Sequence, residues 1–389
     1  MKRIINTDHV PIKFWLEDIE PEAINQAKNV ALLPFAFKHV AVMPDSHVGY
    51  GMPIGGVLAA KGAVVPNAVG VDIGCGMCAA KTNLHDISVK TLKKIMDRIR
   101  EYVPVGFKHH DRAQNSNFLP SEDMILKKGI VARELPSAIK QVGTLGGGNH
   151  FIEIQKGSDG HIWIMIHSGS RNLGLQVAKY YNRIAKELNK KEGYKVPPSY
   201  DLAYLDIDSK EGKDYMQEMN YCIEFAFSNR KLMMINIQKA FTEELGGDFT
   251  ELEFINIAHN YARAEKHFDT DVIVHRKGAT SARKGEIGII PGSQGTKSYI
   301  VKGLGNPESF KSCSHGAGRL MGRKQAQRVL DLKTEIDALN KKGIIHSIRN
   351  QKDLDEAPSA YKNIDVVMEN QKDLVEIMVE LTPMAVVKG

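Results

Sequence analysis

Again and again in this chain, a short apolar run gives way to a glycine-rich turn that carries an ionisable side chain. The segments are Met43-Pro-Asp-Ser-His-Val-Gly-Tyr-Gly-Met-Pro53, Gly70-Val-Asp-Ile-Gly-Cys-Gly76, Leu145-Gly-Gly-Gly-Asn-His-Phe-Ile-Glu153, Ile166-His-Ser-Gly-Ser-Arg171 and Ser312-Cys-Ser-His-Gly-Ala-Gly-Arg319. Such turns are where a rigid scaffold presents functional groups, so the chain is constrained to a fold with strands that end at one or more sites. The apolar runs Val40–Met43, Pro53–Ala60, Ala68–Ile73, Phe151–Ile154 and Ile162–Ile166 read as strands. Helical spacing with charged faces appears over Ser88–Tyr102, Leu175–Asn189, Lys213–Leu245 and Arg319–Asn340, and two further short helices are expected within Asn350–Leu381. The mixture is α+β. No repeat, low-complexity tract or linker marks a boundary, so one unit spanning residues 1–389 is expected.

A content of 42% hydrophobic and 25% charged residues excludes disorder and collagen-like repetition. No stretch approaches the roughly 20 apolar residues that span a bilayer, and Met1–Trp15 lacks the apolar core of a secretory signal, so a cytoplasmic protein with no membrane partner is expected. Four cysteines, Cys75, Cys78, Cys222 and Cys313, do not make a disulfide framework. The net charge of +6 suits a polyanionic partner without requiring one.

Asp72 and Cys75 lie three apart around Gly74, so one tight loop can aim a carboxylate and a thiolate at the same point. His150, His167 and His259 could complete a site of mixed O, S and N donors, a set that suits Mn, Fe, Co or Zn. Each histidine alone is better read as a core or surface residue; their occurrence together with the Asp-x-x-Cys loop favours a metal. Cys78 completes a CxxC without a second one elsewhere and is read as structural. His275, beside Arg276 and Lys277, is a candidate ligand or part of an anion site. No Walker loop and no GxGxxG opening a βαβ unit is present, but Pro291-Gly-Ser-Gln-Gly-Thr-Lys-Ser298, a hairpin turn between Ile287–Ile290 and Tyr299–Val301, can offer Ser293, Lys297 and Ser298 to a phosphate or sugar.

These segments, the Pro-Gly-Ser turn and the terminal Val386-Val-Lys-Gly389 together resemble the motifs of the RtcB-type RNA-splicing ligases, in the same order, from about Phe37 to the last residue. The resemblance implies the family's α+β fold: a single domain with a β-rich core, flanking helices and a deep metal-containing cleft. It implies metal ligands at Asp72, Cys75, His150, His167 and His259, with Cys75 bridging two Mn²⁺ ions, and a guanylated nucleophile at His315. The guanylate pocket falls on Asn149, Phe151, Glu153, Ser293, Ser298, Ala317, Tyr361 and Lys388, and an RNA contact on Arg171.

The implied reaction uses GTP to join RNA bearing a 2′,3′-cyclic phosphate or 3′-phosphate end to RNA with a 5′-hydroxyl end, in RNA repair or tRNA splicing. Two departures stand out: Cys78 is not a motif residue, and Gln294 occupies a position where the family usually has Met. A metal-dependent phosphoesterase and a non-catalytic RNA-binding protein are the rival readings. The first would need no guanylate-accepting histidine; the second is opposed by the full ligand set and by the lack of interleaved aromatic and basic motifs. Which RNA is joined, and whether an activating protein partner is needed, is not written in these motifs.

Overall fold

The computed structural model describes residues 1–247 and 249–389. Two large sheets carry the architecture. The first runs in the order Arg3–Ile5, Ile12–Phe14, Ala36–His47, Ile54–Ala60, Thr270–Lys277, Asn260–His267. The second runs Glu251–Ala258, Gly76–Thr82, Ile162–Ser168, Phe151–Gly157, Val375–Lys388, Ser298–Gly303, Ile287–Ile290, and every neighbouring pair in it is antiparallel. At one corner the chain passes directly between the sheets, leaving the second at Ala258 and entering the first at Asn260, with His259 between them.

Ile162–Ser168 is buried along its whole length, and its two faces serve different cores. Ile162, Ile164 and Ile166 join Cys78 and Ala80 against Met233 and Ile237 of the helix Lys210–Leu245. Trp163 and Met165 face the opposite core with Met77, Ala79 and Leu339. A strand buried on both faces reads as a continuous apolar run rather than an alternation, which is how this one appears in the sequence. The 36-residue helix Lys210–Leu245 is capped by the Ser209 hydroxyl, which accepts from Gly212 N at 3.0 Å, and stops at Gly246 in the left-handed region.

Three sequence expectations change. Ala68–Ile73 is not a strand: Pro66 begins a short helix, Pro66–Val69, and Gly70 with φ +96° ends it, so Asp72 lies in a turn. The span Arg319–Asn340 holds two helices, Arg323–Val329 and Leu332–Lys341, because Asp331 caps the second through Thr334 N. Asn350–Leu381 contains 3₁₀ turns and one α-helix, Ile364–Glu369, and then a 14-residue strand, Val375–Lys388, in place of a second helix. Val375, Ile377 and Val379 pair with Ser298–Gly303, and Thr382, Val386 and Val387 with Phe151–Gly157; all six are β-branched, so strand pairing overrides the expected helix. Among the described residues, no helix is long and apolar enough to cross a membrane.

Candidate metal and nucleotide site

The register of the second sheet brings the chemistry to one edge. Gly76 pairs with both Ser168 and Ala258, Phe151 pairs with His167, and Lys388 pairs with Phe151. Cys75, His150, His167, His259 and Lys388 therefore stand at one end of five neighbouring antiparallel strands, although some are more than 200 residues apart in sequence. Asp72 joins them by a turn in which Cys75 N donates to Asp72 O at 3.1 Å and Gly74 adopts φ +73°.

The result is two overlapping groups of ligand atoms, each spanning no more than 4.8 Å: Asp72, Cys75 and His150, and Cys75, His167 and His259. Cys75 belongs to both. Its sulfur lies 3.2 Å from His167 Nε2 and 3.6 Å from His150 Nε2; His150 Nε2 lies 3.1 Å from Asp72 Oδ2, and His167 Nε2 lies 3.4 Å from His259 Nε2. Backbone carbonyls set the tautomers. His150 Nδ1 donates to Leu145 O and His167 Nδ1 to Asn149 O, both at 3.0 Å, which leaves their Nε2 lone pairs aimed at the cluster. Gly146, at φ +98°, passes so close to the His150 ring and the Arg171 guanidinium that a Cβ there would collide with both.

The electrostatics fit a cation. Burial, then the neighbouring Asp72, pushes the Cys75 thiol well above its ordinary value, so a thiolate here requires a positive partner. Burial and the facing histidines hold His167 and His259 far below theirs, which keeps both rings neutral and able to ligate. Burial raises the Asp72 carboxyl, but the hydrogen bond and charge of His150 more than reverse this and hold it below the usual range. Without a metal the Cys75 thiol can donate to His167 Nε2 at 3.2 Å, while His259 Nδ1 stays buried without a partner; a cation among these atoms would use the sulfur and the Nε2 lone pairs together.

Next to this cluster opens a cleft of about 900 Å³. Asn149, Phe151, Glu153, Ser293, Ala317, Tyr361 and Lys388 line it, and so does His315. Ser298 does not: it is buried behind the turn, where its hydroxyl accepts from Gly292 N and Gln155 Nε2, both at 3.1 Å. Lys297 turns away to Glu380, and Lys302 to Glu376, while Pro291, Gly292, Ser293 and Gln294 of the turn line the cleft. Gln294 directs its amide to Glu356 O at 2.8 Å. Arg171 reaches Thr144 Oγ1 at 3.1 Å and Gly106 O at 3.2 Å, beside the Asp72 end of the cluster.

His315 packs 4.7 Å, centroid to centroid, from the His259 ring. Its Nδ1 donates to Asp45 Oδ2 at 2.6 Å, and the same oxygen accepts from His315 N and, at 3.3 Å, from Gly316 N. Asp45 is fully buried. The imidazole is thus locked with Nε2 as the nitrogen that carries the lone pair.

Among functional groups not singled out from sequence, Asp45 and His47 lie inside the first quoted segment, and nothing local distinguished them from turn residues. His47 lines the cleft, and burial followed by the nearby His315 lowers it to about 4. Arg230 and Asn229 lie mid-helix and fully buried; Arg230 Nη1 donates to Gly74 O at 3.0 Å and Ser168 O at 2.8 Å, tying both ligand loops together. Asn229 bonds Gly143 N, Thr144 N and Gly169 O. An adjacent polar pair in the middle of an otherwise apolar helical stripe was the available signal. Glu356 gathers Arg319, Arg323, Lys388 and Tyr361 around one buried carboxylate.

Other candidates are not brought to the site. Cys78 faces the helical core, with Arg230 O at 4.0 Å, so the two cysteines of the CxxC do not act on one point. His275 is fully buried, accepting from Val65 N at 2.9 Å; Arg276 is bound to Glu265, and Lys277 donates to Asn67 O at 2.9 Å and to Tyr50 O, so no anion site forms there.

A family model described as "tRNA-splicing ligase RtcB" matches residues 26–132 and 124–389. The chain belongs to the RtcB family. It is 40% identical to an RNA-splicing ligase RtcB1 of Escherichia coli strain ATCC 25922 and 39% identical to the RNA-splicing ligase RtcB of strain K12, covering 99% of both chains in each case. It is 32% identical to a tRNA-splicing ligase RtcB of Thermococcus kodakarensis, over 95% of this chain and 92% of that one. The α+β fold and the RtcB resemblance read from the sequence motifs agree with these matches. The metal-capable cluster is where four of the five glycine-rich segments and His259 come together or adjoin.

Proposed function

We propose that this chain is an RNA ligase that joins a 2′,3′-cyclic phosphate or 3′-phosphate end to a 5′-hydroxyl end, using GTP through a guanylated His315. One observation carries this reading: an imidazole oriented by a buried carboxylate stands against a histidine of a thiolate-sharing double ligand cluster and opens onto a cleft large enough for a nucleotide.

Asp72, Cys75 and His150 would hold one divalent ion, and Cys75, His167 and His259 a second, with Mn²⁺ suited to the mixed donors. Such ions, when bound, offset charge on phosphate oxygens and favour the neutral form of nearby imidazoles. Asp45 keeps the His315 proton on Nδ1, so the Nε2 lone pair is available to attack the α-phosphorus of GTP. A P–N bond forms, the bond to the bridging oxygen breaks, and pyrophosphate leaves. A 2′,3′-cyclic phosphate end is first opened by water to a 3′-phosphate and a free 2′-hydroxyl; the guanylate then passes from Nε2 to that phosphate with cleavage of the P–N bond, and the 5′-hydroxyl of the second strand displaces GMP to close a phosphodiester. Phosphoryl transfer depends on positioning and charge more than on covalent help, and the rest of the cleft supplies that: Phe151 and Lys388 lie 5.2 Å from each other as ring and ammonium, with Ser293 and Tyr361 on the wall.

His315→Ala is expected to eliminate label transfer from α-labelled GTP to the protein, and to abolish joining of a cyclic-phosphate end. The same variant is expected to join RNA supplied with a guanylated 3′-end. Protein-bound GMP in the alanine variant would overturn the assignment.

A further inference from the structure

Between Pro104 and Gln114 the chain makes a loop whose crest is Phe107-Lys108-His109, and Phe107 is 99% exposed. The loop is pinned on both sides of that crest. Gly106 N donates to Gly146 O at 2.9 Å and Gly106 O accepts from Arg171 Nη2 at 3.2 Å; Lys108 N closes a turn on Val105 O at 3.2 Å. Beyond the crest, His110 N donates to Lys140 O at 3.0 Å, and the His110 ring bonds Gly143 O at 3.3 Å. An exposed phenylalanine at a loop tip is ordinarily mobile and unremarked. Here it is anchored to the same glycine loop that holds His150, one residue from the backbone that binds Arg171.

The charge around the crest has one dominant sign. The loop itself carries the exposed Lys108, His109 and Arg112 with one carboxylate, Asp111, and the exposed Lys140 is bonded to it through its backbone carbonyl. An exposed aromatic ring on a loop that also carries cations, anchored beside the candidate ligand cluster, matches the way single-stranded nucleic acid is bound, by base stacking plus backbone neutralisation. A hydrophobic protein partner would be met by a wider apolar surface than one ring.

We infer that Phe107 is a stacking platform for an unpaired base of the substrate RNA close to the reacting ends, with Lys108 and Arg112 on the adjoining phosphates. The inference rests on the RNA-ligase reading and adds a specific contact to it. It also places the nucleic-acid surface on the Asp72–His150 side of the metal cluster.

The test compares Phe107→Ala, Phe107→Leu and Phe107→Trp in three assays on the full chain loaded with Mn²⁺: self-guanylylation with α-labelled GTP, joining of two short single strands with KM for RNA measured, and joining of the same strands carrying one abasic nucleotide at successive positions. Phe107→Ala is expected to raise KM for RNA about tenfold, ~1.4 kcal/mol, with guanylylation unchanged. Phe107→Trp is expected to retain the wild-type KM, and Phe107→Leu to resemble alanine. At one abasic position the wild type should lose about the same factor while Phe107→Ala loses nothing more. An unchanged KM in Phe107→Ala overturns the inference, as does full rescue by leucine or a loss that appears only when a protein partner is added, both of which indicate an apolar docking point. If guanylylation falls in parallel, the loop is a structural support and the inference also fails. Failure of the wild-type chain to join any RNA would instead overturn the ligase reading.

Discussion

The two ends of the cleft are built on opposite physical plans. At the metal end, the thiol and two imidazoles are uncharged in the free protein, stripped of water and pointed at one another, with Cys75 raised and His167 and His259 lowered by burial and Asp72 the one ionised member. At the end proposed for the guanylate, the buried carboxylate is already paired: Lys388, Tyr361, Arg323 and Arg319 overcome the burial of Glu356 and hold it near 2. The first end is unsatisfied until a cation arrives, and the second is satisfied before any ligand arrives. Metal affinity and folding should therefore be coupled at one end and separable at the other.

The largest test of that contrast is at Cys75. Cys75→Ser is expected to lower joining by more than the roughly 100-fold that changes outside the ligand sphere cost, and to reduce bound Mn²⁺ measured by elemental analysis. Cys78→Ser, facing the helical core, is expected to alter activity less than tenfold, within the ordinary cost of a small core change. Equal losses would mean that the CxxC works as a unit and that the sharing of Cys75 between two ligand groups is not what matters.

Arg230 tests whether the metal end is held from behind. Arg230→Met leaves Gly74 O and Ser168 O without their buried donor, about 1–3 kcal/mol each, and should weaken Mn²⁺ binding by roughly 10- to 100-fold. Thermal unfolding with and without Mn²⁺ reads both effects, and the metal should recover part of the lost stability. A variant with reduced stability and unaltered Mn²⁺ affinity would break the link between this clamp and the ligand loops.

Glu356→Gln removes the countercharge while keeping the shape. The expected outcome is a KM for GTP raised about tenfold, the scale of one charged hydrogen bond, with bound Mn²⁺ unchanged. Loss of metal together with GTP affinity would show that the two ends are not separable.

The parts of the site legible in the sequence were those whose chemistry is local. Asp72 and Cys75 share a turn, and His150 follows three glycines, so residue type and spacing already suggested ligands. What brings His167 and His259 to the same point is strand register, and nothing in a single strand states its partner; the RtcB resemblance supplied that information. Glu356 leaves no local trace, and the polar pair Asn229–Arg230 only marks a break in an apolar stripe, because their roles depend on carbonyls and cations distant in sequence. The strand Val375–Lys388 was missed since its pairing with Phe151–Gly157 is long-range, and His275 attracted attention because a fully buried histidine and a ligand look alike until their hydrogen bonds are known.

Glu153 is where the contrast between the two ends can be measured with the smallest signal. It is buried at the guanylate end, and burial raises its carboxyl to about 8 despite the charge of Lys388 and the hydrogen bond from Gln155. In the folded, ligand-free protein it therefore holds a proton at neutral pH that the unfolded chain has released. A group raised on folding stabilises most below its unfolded value, and that contribution is lost as pH rises through the folded value. Thermal stability should accordingly decline between about pH 5 and 8 by an amount that Glu153→Gln removes. Guanine presents N–H donors that favour the ionised carboxyl, so GTP binding should return Glu153 toward its ordinary value and release up to one proton near pH 7. Titration calorimetry in two buffers of different ionisation enthalpy would detect that proton. The glutamine variant should bind GTP with no buffer dependence. If the buffer dependence survives in the variant, the proton belongs to another group, and the guanylate end is less fully charge-balanced than Glu356 makes it look.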